Sequence, residues 1–261
     1  MREIDLNSDL GEGAGTDEAI MPFVTSANIA CGAHAGDEET MRATVELALR
    51  RGVAIGAHPG YRDPANFGRV VVEMPHEALV EDLRAQIEAL RWIAADLGAP
   101  LTHVKPHGAL YNRGERDPDT AGAIVAAVRA VDLVLVAPPD SAMHVAAVLG
   151  VCAVAREGFA DRAYESDGTL RSRRLPGAVH TDPRVAAAQA LSFALDGGVR
   201  AVDGTFLALE LDTLCIHGDT PNAVAIANTT RSASTRWRAS LGSGSGSRRA
   251  KSSARWAAAA T

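Results

Sequence analysis

The chain has 261 residues, of which 47% are hydrophobic and only 4% aromatic, and its formal net charge at pH 7 is −6. This length fits one large α/β domain or two small ones, and small apolar side chains suit helices packed on a buried parallel sheet. The negative charge disfavours a general nucleic-acid binder, and no apolar stretch approaches the roughly 20 residues of a membrane span.

The cysteines and the amino terminus indicate a cytoplasmic protein. Cys31, Cys152 and Cys215 lie far apart in apolar runs without a CxxC motif, which is typical of buried free thiols in a reducing compartment. The amino terminus begins with a strand-like run and has no basic region followed by an apolar one, so it does not resemble a secretory signal. We therefore expect a cytoplasmic protein with neither membrane nor nucleic-acid partners.

Short apolar runs typical of strands alternate along the chain with segments of helical periodicity. Strands are predicted at 3–7, 27–31, 53–57, 102–105, 133–137, 151–155 and 213–217, with a weaker candidate at 199–202. Helices are predicted at 38–51, 76–97, 119–131, 141–149, 183–195 and 222–230. Helix boundaries are marked by Asp37 and Asp117-Pro118 at two starts and by Gly52 and Gly98 at two ends.

This alternation predicts a parallel sheet with right-handed crossovers. Seven confident strands favour a closed or nearly closed barrel, although periodicity alone leaves an open doubly wound sheet possible. A single α/β domain is expected over residues 1–230, with an excursion over 161–177 that turns near Asp167-Gly168. Residues 231–261 are rich in Ser, Gly, Ala and Arg, carry seven basic and no acidic residues, and are predicted to be an unstructured basic tail.

Four histidines follow predicted strands and have a glycine close by: His34, His58, His107 and His217. The carboxyl ends of parallel strands meet at one rim, where α/β folds keep their chemistry. A single such histidine is more often structural, but four on one predicted rim favour a functional role for at least two. His34 and His58 are candidate metal ligands, acids or bases, and His217 is a substrate contact or a structural tie.

Charged residues accompany these histidines. Asp5, Asn7 and Asp9 alternate along the first strand and share one face, and Glu12 lies in the loop beyond. Buried acids are costly unless they bind a cation or pair with a base.

Lys105 stands two residues before His107. It can neutralise a substrate carboxylate, stabilise an oxyanion, or form an ion pair with Asp5, Asp9 or Glu12. His103 points with Lys105 but begins its strand, so it carries less weight. Another group follows the sixth predicted strand and forms either part of the site or a salt-bridge cluster: Glu157, Asp161 and Arg162.

Several common motifs do not occur in the sequence. It has no GxxxxGK[ST] phosphate loop and no GxGxxG after the first strand. It also lacks HExxH and GxSxG. We therefore recognise no nucleotide site in this chain from its motifs.

Seven ordered motifs resemble the LamB/YcsF family over about residues 1–230. They are NSDLGE (7–12), NIACGAHAGD (28–37), GAHP (56–59), FGR (67–69), HVKPHGALYN (103–112), EGFADR (157–162) and HGD (217–219). The resemblance implies a (β/α)7 barrel similar to the glycoside hydrolase/deacetylase superfamily. It also implies ATP-dependent opening of 5-oxo-L-proline (pyroglutamate) to L-glutamate, performed together with 5-oxoprolinase subunits B and C.

The resemblance also suggests roles for the rim residues. Catalysis is expected from Asp9, Lys105 and His107, with Lys105 on the substrate carboxylate and Asp9 or His107 as the base for water. Substrate binding is expected from Asn7, Glu12, Glu157, Asp161, Arg162, His217 and Asp219. By analogy with deacetylases, a divalent metal is expected on Asp9, His34 and His58.

Two alternatives and one departure accompany this interpretation. The chain could be a metal-dependent deacetylase or amidohydrolase acting alone, or a non-catalytic scaffold for partner subunits. The family pattern usually ends in an amphipathic helix after HGD, whereas here the pattern dissolves after residue 230. A shifted reading frame or an unusual tail would explain that departure.

Overall fold

Seven parallel strands close into a barrel in the computed structural model, which describes residues 4–240. The strands in chain order are β1 (Asp5–Leu10), β2 (Ser26–Ala30), β3 (Ala54–His58), β4 (Leu101–Val104), β5 (Val134–Ala137), β6 (Val154–Phe159), β7 (Gly198–Arg200), β8 (Phe206–Ala208) and β9 (Thr213–Cys215). Strands β1 to β6 pair in sequence order, and β9 closes the barrel by pairing with β1 and β6. The predicted (β/α)7 barrel is therefore confirmed, and the open doubly wound sheet is excluded.

Helices surround the barrel and bury their apolar faces against it. They are α1 (Asp17–Ile20), α2 (Glu38–Arg51), α3 (His76–Asp96), α4 (Gly108–Gly114), α5 (Pro118–Arg129), α6 (Ala142–Leu149), α7 (Pro183–Leu195) and α8 (Ala223–Ser240), with 3₁₀ turns at Met21–Phe23 and Pro64–Asn66. Asp37 and Asp117 accept hydrogen bonds from the amides of Thr40 and Thr120, as expected of amino-terminal caps. Among the described helices, none combines the length and the apolar character needed to cross a membrane.

One strand prediction was wrong in position, and the weaker one lies outside the barrel. The weaker candidate at 199–202 is present as β7, which pairs with the antiparallel β8 in a separate two-stranded sheet. The strand predicted at 151–155 begins at Val154 and continues to Phe159. Val151 has a φ of 53° and belongs to a turn. The strand itself contains the charged residues Arg156 and Glu157, which are more typical of a loop than of a buried strand.

The carboxyl-terminal helix is longer than predicted. The helix expected over 222–230 runs from Ala223 to Ser240, so residues 231–240 of the predicted tail are helical. Ala and Arg favour helix, and packing of α8 against α7 supplies the tertiary support that composition alone does not reveal. The rest of the predicted tail, residues 241–261, and residue 3 of the first predicted strand lie outside the described residues.

The excursion over 161–177 contains the predicted turn. The Glu165 amide donates to the Thr169 carbonyl, and the Gly168 amide donates back to the Glu165 carbonyl. Isolated antiparallel bridges join Arg162 to Val179 and Tyr164 to Leu170. This segment therefore folds over the carboxyl end of β6, next to the rim where the site lies.

Candidate active site

The strand ends bring most of the predicted residues to one rim. Strand β1 carries Asn7 and Asp9 on its interior face, and Glu12 follows it. The contributors at or beyond the ends of β2, β3, β4 and β9 are His34, His58, Lys105, His107 and His217, and Glu157 comes from within β6. Six of these nine residues are buried and the other three, Asp9, Glu12 and His217, are half-buried, so the barrel mouth holds a dense polar cluster.

Lys105 is the centre of a buried charge network. Its Nζ lies 3.0 Å from Asp9 Oδ1 and 3.0 Å from Glu157 Oε1, and its side chain is only 4% exposed. It also lies 3.0 Å from Cys215 Sγ. Tyr111 donates its hydroxyl to Glu157 Oε2 at 2.7 Å. The ammonium therefore already faces two carboxylates before any substrate arrives.

These contacts set the protonation states of the network. Burial alone raises the pKa of Asp9, but the positive charges of protonated His58 and of Lys105 hold it well below its usual range. Burial lowers the pKa of His58 to about 3, so at neutral pH Lys105 supplies that charge. Burial lowers the pKa of Lys105, but Asp9, Cys215 and Glu157 outweigh this and raise it well above its usual value. Asp9 and Lys105 are therefore an ionised pair.

A second layer of polar residues supports Asp9 from inside the barrel. Asn28 donates its amide to Asn7 Oδ1 and Asp9 Oδ1, both at 2.8 Å. His103 Nε2 lies 2.8 Å from Asn28 Oδ1, and burial lowers the pKa of His103 to about 3. The neutral His103 ring therefore donates to Asn28 and orients the Asn28 amide towards Asp9.

Asp5 lies deeper in the barrel and takes no part in this pairing. Its carboxylate accepts hydrogen bonds at 2.6 Å from the hydroxyls of Thr25, Ser26 and Thr213. The ion pair with Lys105 that the sequence left open for Asp5 is therefore wrong, and the partner is Asp9. Asp5 ties β1 to β2 and β9 at the base of the site.

Glu12 gathers three histidines on the other side of the mouth. Glu12 Oε1 lies 3.1 Å from His34 Nε2, 3.1 Å from His107 Nδ1 and 3.5 Å from His58 Nε2. Burial raises the pKa of Glu12, but hydrogen bonds to His107 and His34 outweigh it and lower this pKa to about 2. Glu12 is thus a carboxylate at neutral pH and belongs with the histidines, not with Lys105.

The imidazole rings are held tightly in this cluster. His34 and His107 stack with centroids 3.7 Å apart and planes within 1°, and His58 meets both rings edge-on. Gly68, at a φ of 61°, packs so close that an added Cβ would stand 2.7 Å from His34 Cβ. The glycine of the FGR motif is therefore required both by the backbone conformation and by the rings beneath it.

The residues predicted near β6 and β9 fall into separate contacts. Asp161 accepts from the His217 ring at 3.0 Å and from the Thr220 hydroxyl at 2.6 Å. Burial raises the pKa of Asp161, but the His217 charge and these hydrogen bonds lower it to about 2. Asp219 instead pairs with Arg69 at 2.6 Å across the mouth.

Arg162 turns away from the other rim residues. It donates to the carbonyls of Ala178 and Arg171, so its contacts brace the excursion rather than the mouth of the barrel. A cavity of about 280 Å³ lies between the excursion and the ends of β5 and β6, and Tyr111, Arg116 and Glu157 contribute to its lining.

Four participants were missed as site residues from sequence. Asn28, Tyr111, Arg69 and Cys215 all lie within or beside the quoted motifs, yet none is a strand-end acid or histidine. For Asn28 the available signal was its position in NIACGAHAGD, one strand away from Asp9, and the two residues are direct neighbours in the β1–β2 register. Arg69 lies with its guanidinium 5.1 Å from the Phe67 ring, which packs against His34 and His107.

Comparison with known proteins gives matches along nearly the whole chain. Residues 4–245 match the LamB/YcsF family. The A subunit of 5-oxoprolinase from Symbiobacterium thermophilum is 48% identical over 239 residues, covering 89% of this chain and 92% of the relative. The Rhodopseudomonas palustris protein of the same name is 51% identical over 237 residues, covering 88% and 93%. The crystal structure of a lactam utilization protein from Thermus thermophilus is 43% identical with a TM-score of 0.87, covering 91% of this chain and 98% of that one.

Proposed function

The chain belongs to the LamB/YcsF family, and we propose that it acts in a 5-oxoprolinase, as the subunit whose barrel mouth opens an activated lactam. The substrate is 5-oxo-L-proline and the product is L-glutamate, with ATP converted to ADP and phosphate. Support comes from relatives named as the A subunit of 5-oxoprolinase that match almost end to end, and from a solved relative titled a lactam utilization protein. The partners in this proposal are 5-oxoprolinase subunits B and C.

The reaction needs ATP because a lactam carbonyl is a poor electrophile. In this proposal the partners transfer the γ-phosphoryl group to the lactam oxygen, which releases ADP and makes the ring carbon reactive. Water then adds to that carbon and loses a proton to a base, and the carbon–nitrogen bond breaks as the ring nitrogen takes a proton. A second water hydrolyses the resulting acyl phosphate to the glutamate side-chain carboxylate and phosphate.

Asp9 is the base in this proposal, and Lys105 is its electrostatic partner. His107 is less suited, because its Nε2 faces the Phe67 carbonyl at 2.8 Å and its Nδ1 faces His58 and Glu12. The low pKa of Asp9 keeps it ionised but makes it a weak base while Lys105 is close. As negative charge develops on the substrate, Lys105 interacts partly with the substrate instead of with Asp9. The pKa of Asp9 then rises, and Asp9 takes the proton from the attacking water.

One observation carries the proposal: a paired Asp9–Lys105 couple, joined to Glu157 and bordered by a histidine cluster, sits at the catalytic rim of a barrel. The pairing argues against Lys105 as the anchor for the substrate carboxylate. A negatively charged substrate would have to displace Asp9 or Glu157 from a cation that is already neutralised. Stabilising charge that forms during the reaction requires no such exchange.

Reconstitution tests the proposal. The chain is combined with the B and C subunits of the same organism, and glutamate formation from 5-oxo-L-proline is measured with and without ATP. We expect glutamate only from the complete mixture. Asp9→Asn should reduce the rate by about 10²–10⁴-fold, the usual contribution of a general base. The same change at Asp203, in an exposed turn between β7 and β8, is the matched control and should have no effect.

The other outcomes separate the competing functions. Full complex activity in the Asp9→Asn, Lys105→Ala and His107→Ala variants would reduce the chain to a scaffold. The histidine cluster favours a second candidate, a metal-dependent amidohydrolase acting alone. Metal-dependent deacetylation or lactam hydrolysis by the isolated chain, without ATP, would support that candidate and overturn the first.

A further inference from the structure

Two ring nitrogens face each other in the histidine cluster without an evident proton between them. His58 Nε2 and His107 Nδ1 are 3.0 Å apart, and both rings are almost fully buried. A contact this short between ring nitrogens is favourable only if one of them carries a proton or if a cation lies between them.

The opposite nitrogens of the two rings fix where the protons are. His58 Nδ1 is 2.7 Å from the Lys105 carbonyl, and His107 Nε2 is 2.8 Å from the Phe67 carbonyl. Because a carbonyl only accepts, each ring donates its N–H there. Each ring therefore has one N–H on its far side, and any proton or cation between His58 Nε2 and His107 Nδ1 is additional to those two.

Glu12 adds a third acceptor to the same point. Its Oε1 is 3.1 Å from His107 Nδ1 and 3.5 Å from His58 Nε2. One shared proton bridges only two of three converging acceptors, whereas a cation binds all three. Two ligands at about 2.0–2.1 Å from one metal ion stand roughly 2.8–3.4 Å apart at coordination angles between square and tetrahedral, close to the separations here.

We propose that His58 Nε2, His107 Nδ1 and Glu12 form a divalent-cation site, and that His34 positions Glu12 instead of binding the ion. The rings of His34 and His107 are stacked and parallel. A ligand imidazole points its nitrogen at the metal within the ring plane, and two stacked parallel rings do not share such a point. His34 lies instead 3.1 Å from Glu12 Oε1 and donates its Nε2–H there.

The donor set indicates the class of metal. Two imidazoles and one carboxylate are the ligands of catalytic zinc sites, and other first-row divalent ions such as Co²⁺ accept the same set. The carbonyls of Lys105 and Phe67 hold the two rings in the tautomer that ligation needs. This set keeps only His58 from the predicted Asp9, His34 and His58. Asp9 Oδ2 also lies 3.5 Å from His58 Nε2, but both carboxylate oxygens of Asp9 contact Lys105 Nζ.

Metal titration of the full chain tests the site without any activity assay. Metal-free protein is titrated with Zn²⁺ by calorimetry and with Co²⁺ by absorption, and we expect one equivalent to bind with a Co²⁺ spectrum of nitrogen and oxygen ligation. His58→Ala and His107→Ala should abolish stoichiometric binding. Glu12→Gln, a nearly isosteric change, should weaken it, and circular dichroism checks that each variant is folded.

His34 and a surface histidine provide the discriminating controls. His34→Gln keeps a donor for Glu12 and should retain one equivalent with about 10–100-fold weaker affinity, as expected for a group that supports a ligand. His76→Ala removes a surface histidine paired with Asp119 and should leave binding unchanged.

Three results would overturn the proposal. They are the absence of an equivalent of bound metal in the wild-type chain, binding that survives in folded His58→Ala and His107→Ala variants, and His34→Gln losing the metal as completely as they do. The first two would leave a shared proton as the explanation for the facing nitrogens, and the third would make His34 a ligand.

Discussion

The two sides of the barrel mouth differ in whether their polar groups find partners within the chain. Around Asp9 each charge meets an opposite charge or a donor, with Lys105 between Asp9 and Glu157 and with Tyr111 on Glu157. Around Glu12, one carboxylate oxygen converges with His58 Nε2 and His107 Nδ1, two ring nitrogens whose opposite N–H groups are donated to backbone carbonyls. The first region is complete within the chain, whereas the second points to a ligand.

This difference predicts where stability and where binding are encoded. Breaking a balanced, buried ion network leaves an unpaired charge and costs folding free energy. Changing a cluster built around a ligand costs affinity for that ligand first. Substitutions on the Asp9 side should therefore act mainly on unfolding, and substitutions on the Glu12 side mainly on metal binding.

The largest effect on stability is expected for Lys105→Met. This change leaves Asp9 and Glu157 buried and facing each other without a cation, which should cost about 3–5 kcal/mol in the free energy of unfolding. Urea denaturation of the wild-type and variant chains at pH 7 measures it. Adding Glu157→Gln to the variant should recover part of the loss. A change below about 1 kcal/mol would show that the network is not balanced by Lys105.

Gly56→Ala should have the next largest effect. An added Cβ at Gly56 would stand 2.1 Å from His103 Nε2, so the ring would have to leave Asn28 and with it the support of Asp9. Overpacking of this kind costs about 1–3 kcal/mol.

Gly122→Ala is the matched control for this substitution. Gly122 lies in α5, where an added Cβ meets only His76 at 3.5 Å. There the change should stabilise the chain by up to about 1 kcal/mol, because alanine favours helix. Equal stabilities of the Gly56→Ala chain and the wild type would mean that His103 is free to move.

The contrast between the two regions also explains how far the sequence could be interpreted. The barrel and its rim were predictable, because strand-end polar residues followed by glycine are a local pattern and parallel strands share one carboxyl edge. The contacts between side chains at the rim were not predictable, because they depend on the register between neighbouring strands. His103 lies near the start of the strand predicted at 102–105, away from the predicted rim, yet the register shift between Ile55 and Gly56 places it opposite a glycine that makes room for its ring.

Lys105 and Asp9 illustrate the same limit from the side of function. A lysine in an apolar run indicates a buried charge, but the sequence does not count how many carboxylates face it. Two do, and this pairing is why we propose a cation other than Lys105 for the substrate carboxylate and Glu12 rather than Asp9 for the metal. Whether a carboxylate belongs to an ion pair or to a cation site is decided by distances that only the fold provides.

Asp161, whose carboxylate accepts from His217 and Thr220, allows a smaller test through the pH dependence of stability. Its folded pKa of about 2 lies below the ordinary value of 3.8, so its stabilising contribution is complete above about pH 4 and is lost as the pH falls towards 2. Asp161→Asn should lower the free energy of unfolding at pH 7 by about 1–2 kcal/mol, since a charged hydrogen-bond acceptor is lost. Its stability should then decline less between pH 4 and pH 2 than that of the wild type. An equal loss of stability in the variant and the wild type between pH 4 and pH 2 would contradict the low pKa assigned to Asp161.

Arg69 should give the smallest effect on stability and the clearest one on substrate binding. Lys105 is buried between two carboxylates, so the substrate carboxylate needs another cation. Arg69, on the histidine side of the mouth against Phe67, pairs with one carboxylate only among the described residues, Asp219, in an exposed contact that leaves other guanidinium N–H groups for a ligand. Its ion pair is exposed, so Arg69→Gln should change stability by about 1 kcal/mol or less. In the reconstituted complex, its KM for 5-oxo-L-proline should rise about tenfold or more, as expected for the loss of a charged contact.

Arg116 is the matched control for Arg69, because it lines the cavity beside Glu157 on the balanced side of the mouth. If the carboxylate binds near the histidines, Arg116→Gln should leave KM unchanged. A raised KM in Arg116→Gln with an unchanged KM in Arg69→Gln would indicate that the substrate binds in the cavity instead. The lactam would then approach Asp9 from the Glu157 side, and the two regions of the mouth would no longer act on the same substrate.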